Sequence, residues 1–148
     1  MIVLDTTVLV YAVGAEHELR EPCRRLILAI GEGRVNATTT AEVLQEFSHV
    51  FARRRSRREA ADRASDYATL LAPLLRPDES DLRRGLEMYV DHPPLGAFDA
   101  VLAAIVVGAA HLTAIVSADP AFGTVAGLPH LYPGSGDLAR MLTEHPSR

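Results

Sequence analysis

Four acids in this chain stand where side-chain type and local pattern could support chemistry. Asp5 interrupts the apolar run Ile2-Val3-Leu4, and Asp119 ends a second run, Ala114-Ile115-Val116-Ser117-Ala118. Short, continuously apolar segments of this kind are strands buried on both faces of a parallel sheet, and ligand crevices of such sheets lie beyond the carboxyl ends of the strands. Asp99 opens the stretch Ala100-Val101-Leu102-Ala103-Ala104-Ile105-Val106-Val107. A carboxylate entering so apolar a setting needs compensation from free helical N–H groups, an arginine or a metal ion. Its place in a first helical turn favours the anion, so Asp99 is expected to stay ionised and able to ligate a cation.

Glu42 and Glu46 lie four residues apart on the segment Ala41 to Arg53, where Val43, Leu44, Phe47, Val50 and Phe51 recur at helical spacing. About 100° per residue puts Glu46 roughly 100° and Glu42 roughly 140° from the middle of the apolar stripe. Glu46 is therefore the one expected to reach over the sheet edge into a crevice, while Glu42 faces solvent. Each acid also has a simpler reading. Asp5 and Asp119 suit helix N-caps, the latter before Pro120 at a first helical position, and Glu42 and Glu46 suit a solvated face. Convergence decides between the two readings. Carboxylates lining one crevice repel one another, and a divalent cation removes that conflict. Hard oxygen donors favour Mg²⁺ or Mn²⁺, and the scattered His49, His92, His111 and His130 offer no zinc spacing.

The elements that must position these acids can be read along the chain. A strand at Ile2–Leu4 leads into a helix carrying Val8, Leu9, Tyr11 and Ala12; Glu21 to Ile30 forms an amphipathic helix stopped near Gly31 and Gly33. Val35 to Thr38 is a short strand, and Thr39 or Thr40 caps the helix bearing Glu46. Ala60 to Leu75 reads as a helix ended by Pro77, and Asp78 to Tyr89 as another. The rigid loop His92-Pro93-Pro94-Leu95-Gly96 precedes the helix of Asp99, and a terminal helix spans Leu138 to Glu144. Between two helices lies the one strongly basic run, with Arg53, Arg54, Arg55, Arg57 and Arg58 as candidate RNA contacts; a solvated turn with Ser56 as a cap is the alternative.

At 148 residues and 48% apolar content, one globular domain spanning residues 1–148 is expected. The net charge of −4 gives no overall signature of nucleic-acid binding, so any such partner must meet a local patch. All fifteen positive side chains are Arg, which excludes lysine Schiff-base chemistry and a P-loop lysine. Cys23 is alone, so no disulfide framework or cysteine zinc site is available, in keeping with a cytoplasmic protein. The opening apolar stretch has no basic residue before Asp5, and residues 100–116 are Ala-rich and interrupted by His111 and Thr113. Neither an export signal nor a membrane span is expected.

Taken together, these segments resemble PIN-domain ribonucleases. Asp5-Thr6-Thr7-Val8-Leu9-Val10 resembles the opening motif of that family, Glu42-Val43-Leu44-Gln45-Glu46-Phe47 its acidic helix, Phe98-Asp99-Ala100-Val101-Leu102-Ala103-Ala104 its second acidic helix, and Ser117-Ala118-Asp119-Pro120-Ala121-Phe122 its closing motif. At this length the chain is most similar to VapC-type toxins of toxin–antitoxin pairs. The resemblance implies an α/β fold of three layers, α/β/α, with a short, mainly parallel central sheet flanked by helices. It implies Asp5, Glu46, Asp99 and Asp119 as the catalytic and metal-binding quartet, with Thr7 and Ser117 as nearby hydroxyls and Glu42 secondary. It further implies Mg²⁺- or Mn²⁺-dependent endoribonuclease activity, an RNA substrate, a homodimer and a small antitoxin. Two positions depart from the family pattern: Thr7, where Asn or Ser is usual, and Ala121, where many members carry another acid. A catalytically inactive PIN-like interaction module is the first rival reading. The second, a phosphatase or receiver-type phosphate handler, lacks a second acid after Asp5 and any lysine.

Overall fold

The computed structural model describes residues 1–144. β1 (Ile2–Leu4) is followed by α1 (Thr6–Val13), α2 (Arg20–Gly31), β2 (Ala37–Thr38), α3 (Ala41–Ala52) and α4 (Arg57–Leu70). The chain continues through α5 (Glu79–Asp91), α6 (Ala97–Gly108), β3 (Ala114–Val116), a 3₁₀ turn at Pro120–Thr124, β4 (His130–Leu131) and α7 (Gly136–Thr143). The strands pair in the order β2-β1-β3-β4, all parallel. Ile2, Val3 and Leu4 oppose Ala114, Ile115 and Val116, so β1 and β3 end level with each other.

Successive strand residues point to opposite faces, and Val3, Leu4, Ile115 and Val116 are all fully buried. Both faces of the sheet are therefore covered by helices, which is the expected three-layer α/β/α arrangement. Apolar side chains from the helices join the strands in one core that includes Leu9, Leu26, Phe47, Leu95, Ala103 and Phe122. Buried Tyr67 of α4 meets Phe47 edge to face and donates its hydroxyl to the Leu9 carbonyl, joining α1, α3 and α4. Buried hydroxyls fasten the strand ends: Thr39 Oγ1 donates to the Leu4 carbonyl at 2.7 Å, and Thr40 caps α3 by accepting from Val43 N–H.

The helices α2, α5 and α7 differ from the sequence expectation by one or two residues at an end, and three elements differ in a way that local pattern did not show. β2 is shorter than Val35–Thr38, and β4, an edge strand of two residues, was not anticipated. α4 begins at Arg57 and stops at Leu70, whereas Ala60 to Leu75 was expected. Its start is set by a capping box in which Ser56 Oγ accepts from Glu59 N–H while the Glu59 carboxylate accepts from Ser56 N–H. Its end is set by Pro73, which lacks an N–H and pushes Ala72 out of the helical region; the freed chain returns so that Leu75 N–H bonds the Thr39 carbonyl. Among the described residues no helix is long and apolar enough to cross a membrane.

Candidate metal centre

Asp5 follows β1 directly, and its extended backbone makes it the N-cap of α1. Capping and participation in a site turn out to be compatible, because the contacts fall on one oxygen. Asp5 Oδ2 accepts from Thr7 Oγ1 at 2.8 Å and from Ser117 Oγ at 2.7 Å, with a longer bond from Thr7 N–H. Oδ1 accepts no hydrogen bond from the described residues and remains available, although Asp5 is only 3% exposed.

The two hydroxyls that hold Asp5 are themselves held. Thr7 Oγ1 accepts from Ala118 N–H at 2.9 Å, and Ser117 Oγ accepts from Asp119 N–H at 3.0 Å. Each hydroxyl thus donates to the carboxylate and accepts from the loop after β3, which joins the ends of β1 and β3 through side chains. The ring of His130 sits 2.8 Å from the Ser117 carbonyl through Nε2, adding support from β4. Asp119 caps the 3₁₀ turn as expected, its Oδ1 accepting from Ala121 N–H at 2.9 Å. Ala121 itself is buried, so the position lacking the additional family acid is packed into the protein.

Glu46 is held by a residue that sequence reasoning did not single out. Thr6, the first residue of α1, donates its Oγ1 proton to Glu46 Oε2 across the gap between α1 and α3. The signal available in advance was the paired hydroxyl Thr6-Thr7 immediately after Asp5; with one hydroxyl turned to Asp5 the other can face a different element. Glu42 lies elsewhere. It is exposed in the first turn of α3 and lines a crevice with Leu82, Phe98 and Val101.

Asp99, in the first turn of α6, is half-buried and accepts no hydrogen bond from the described residues, its helix being capped only by Gly96. Burial pushes its carboxyl up from 3.8 to about 7, and the charges of Asp5, Glu46 and Asp119 push in the same direction. This corrects the expectation that Asp99 stays ionised through its helix terminus: the favourable end of one helix is outweighed by desolvation and three neighbouring carboxylates. The same interaction shows that the four acids, distant in sequence, converge. Glu42 is not among the charges acting on Asp99.

Whether these residues suit a cation can be judged from their chemistry. The charged groups acting on Asp99 are all carboxylates, the local charge is strongly negative, and among the described residues neither Asp99 oxygen nor Asp5 Oδ1 accepts a hydrogen bond, which matches the preference of hard divalent ions. Among the described residues, no three His, Cys, Asp or Glu side chains stand close enough together, as placed, to hold a metal ion, so ligation would require these carboxylates to draw in. The five arginines of the basic run are exposed, Arg53 to Arg55 following α3 and Arg57 and Arg58 opening α4, and none of them is among the charges acting on Asp99.

Comparison with known proteins agrees with this architecture. The family model described as PIN domain matches residues 2–128. Ribonuclease VapC7 of Mycobacterium tuberculosis is 50% identical over 143 residues, covering 96% of this chain and 98% of that protein. Ribonuclease VapC13 of the same organism is 31% identical over 133 residues, or 88% of this chain and 99% of its own. Among solved structures, a chain of VapBC2 from Rickettsia felis, crystallised with a DNA fragment from its promoter, superposes with a TM-score of 0.67 at 15% identity. It covers 89% of this chain and 98% of its own length, which is a likeness of fold. Matched from its first strand to beyond its third, and half identical to a relative along nearly its whole length, this protein belongs to the PIN domain family.

Proposed function

We propose that this chain is a metal-dependent endoribonuclease and the toxin of a VapBC-type toxin–antitoxin pair, acting in the cytoplasm with Mg²⁺ or Mn²⁺ as cofactor. The observation that carries the reading is the convergence of Asp5, Glu46 and Asp119 on half-buried Asp99, whose anion is disfavoured by burial and by these three charges and would be stabilised by a cation. The ribonuclease VapC relatives support the same reaction. A homodimer and a small antitoxin covering the acidic crevice complete the proposal.

Each residue then has a definable task. Asp5 and Asp99 would be the principal ligands of the ion: Asp5 is immobilised through Oδ2 so that Oδ1 is presented, and Asp99 would ligate as the anion. A bound Mg²⁺ or Mn²⁺ supplies the Lewis acidity that offsets phosphate charge and makes water a competent nucleophile at neutral pH. Glu46, oriented by Thr6, would accept a proton from the attacking water as the P–O bond to the leaving strand breaks and the departing oxygen takes a proton from solvent. Asp119, with Oδ2 unengaged, completes the ligand set, and Thr7 and Ser117 are positioning residues that act through Asp5.

The test is cleavage of RNA by the Asp5→Asn and Asp99→Asn variants with Mn²⁺ present, checked for folding by circular dichroism. Both are expected to lose activity by at least about a hundredfold, the scale set by losing an inner ligand or its support. Cleavage at the wild-type rate by either folded variant would remove the metal-centre reading. Calorimetric titration with Mn²⁺ separates it from an inactive module, which would bind no ion.

A further inference from the structure

The turn between α3 and α4 carries a charge imbalance that the acidic centre does not explain. Seven of the described arginines form ion pairs with a carboxylate within 4.0 Å. Arg53, Arg54, Arg55, Arg57 and Arg58 form none, although they follow one another with only Ser56 between them. The next acid along the chain, Glu59, is occupied by the N–H and Oγ of Ser56 in the cap of α4, and Arg55 acts on it only weakly and without an ion-pair contact. Like charges are held together at a cost that a passing anion would relieve.

Position ties this patch to the acids. Arg53 closes α3 with helical backbone angles, seven residues after Glu46. That spacing places it within about 20° of Glu46 around the helix and about 10 Å further along it. The Arg53 guanidinium is steadied by His49, whose Nε2 accepts from Nη2 at 3.0 Å, a guanidinium having only donors. Beside it runs a groove of about 550 Å³ between α3 and α4, edged by Arg53 and Arg57 over small residues Ser48, Ala52 and Ala60. The small floor lets a bulky anion approach both guanidinium groups.

We propose that this turn is a phosphate-binding subsite for an RNA strand whose scissile phosphate lies at the acidic cluster, with Arg53 and Arg57 gripping the backbone on one side of the cut. The proposal rests on the nuclease reading and adds direction to it. At about 3.4 Å per stacked nucleotide, the 10 Å separation corresponds to about three nucleotides between the cleaved bond and the gripped phosphate. An RNA that ends short of that point is cut without help from the turn. The arginines touch no reacting atom, so their effect falls on KM and salt dependence and leaves kcat unchanged.

Binding of a fluorescently labelled oligouridylate is measured by anisotropy in chelator over a series of salt concentrations, for wild type, Arg53→Gln/Arg57→Gln and the ion-paired control Arg83→Gln. Steady-state cleavage with Mn²⁺ is measured in parallel. The double variant is expected to bind about tenfold more weakly, with a salt slope lower by about one to two, and the control to match wild type. A double variant with wild-type affinity and slope overturns the subsite, as does its binding polyglutamate more weakly while RNA affinity is untouched, which assigns the patch to an acidic protein. Absence of measurable wild-type binding to RNA overturns it too. Cleavage keeps the two proposals apart: arginine-dependent RNA binding by a wild-type protein that does not cleave removes the nuclease reading and retains the subsite. Active cleavage with an unchanged KM in the double variant does the reverse.

Discussion

Asp99 governs how the site responds to pH. Its carboxyl, ordinarily near 3.8, stands at about 7 in the fold because burial and then the charges of Asp5, Glu46 and Asp119 disfavour the anion. The folded chain therefore holds a proton that the unfolded chain releases, and stability from this group declines as pH rises between those two values. In metal-free protein, calorimetry should show Asp99→Asn melting at a higher temperature than wild type at pH 8, by a few degrees, with the difference shrinking toward pH 4. Equal or lower melting of the variant at pH 8 would contradict the charge accumulation. Cys23 shows the same effect of burial without neighbouring charges: its thiol, pushed up to about 12 within the apolar core, is left protonated and inert.

At the scale of elements, the acids are only as well placed as the helices that carry them. α6 holds Asp99 and packs against α5 at Gly85, where a Cβ would stand 2.6 Å from both the Val101 Cα and Cγ2. The obstruction includes backbone, so α5 and α6 would have to separate. Gly85→Ala gains about 1 kcal/mol of helix propensity, yet overpacking of this kind costs about 1–3 kcal/mol. A net loss of stability in urea unfolding is expected, with reduced cleavage because Asp99 moves with its helix. α3 has a different task, carrying Glu46 beside the acids and, about two turns further along, Arg53 at its C-cap, so that one element spans both charge signs. Its orientation is fixed by Thr40 at the N-terminus and by Phe47 stacked on Phe51 and edge-on to Tyr67.

For the molecule as a whole, the parallel sheet brings the acids together and the core keeps them there. β1 and β3 end level, so Asp5 and the loop bearing Ser117 and Asp119 emerge side by side, and α3 and α6 close over that end. The apolar core is continuous without contribution from the carboxylates. Removing metal should therefore leave the fold intact: chelation is expected to abolish RNA cleavage, restored by Mn²⁺ or Mg²⁺, while far-ultraviolet circular dichroism and cooperative unfolding persist. Loss of the folded spectrum on chelation would show that the ion is structural. The overall charge of −4 opposes RNA everywhere except where arginines lack acidic partners.

Much of this was readable from the chain alone, because it depended on local pattern. Apolar runs interrupted at Asp5 and ended at Asp119 marked two strand ends, and helical periodicity separated Glu46 from Glu42 by angle. Even the cap readings of Asp5 and Asp119 held, alongside convergence. Other features needed partners remote in sequence. The early stop of α4 was locally marked by Pro73, yet the apolar periodicity continuing through Leu74 masked it; β4 is too short to carry a pattern and exists through pairing with β3. The hold of Thr6 on Glu46 spans forty residues, and the protonation of Asp99 depends on burial and then on three carboxylates delivered by other elements. Sequence thus determined which acids stand at element ends, since periodicity and capping act over a few residues. Tertiary structure alone decided which oxygens are occupied, which are free and which proton is retained, since burial and Coulomb interaction depend on distances that only folding sets.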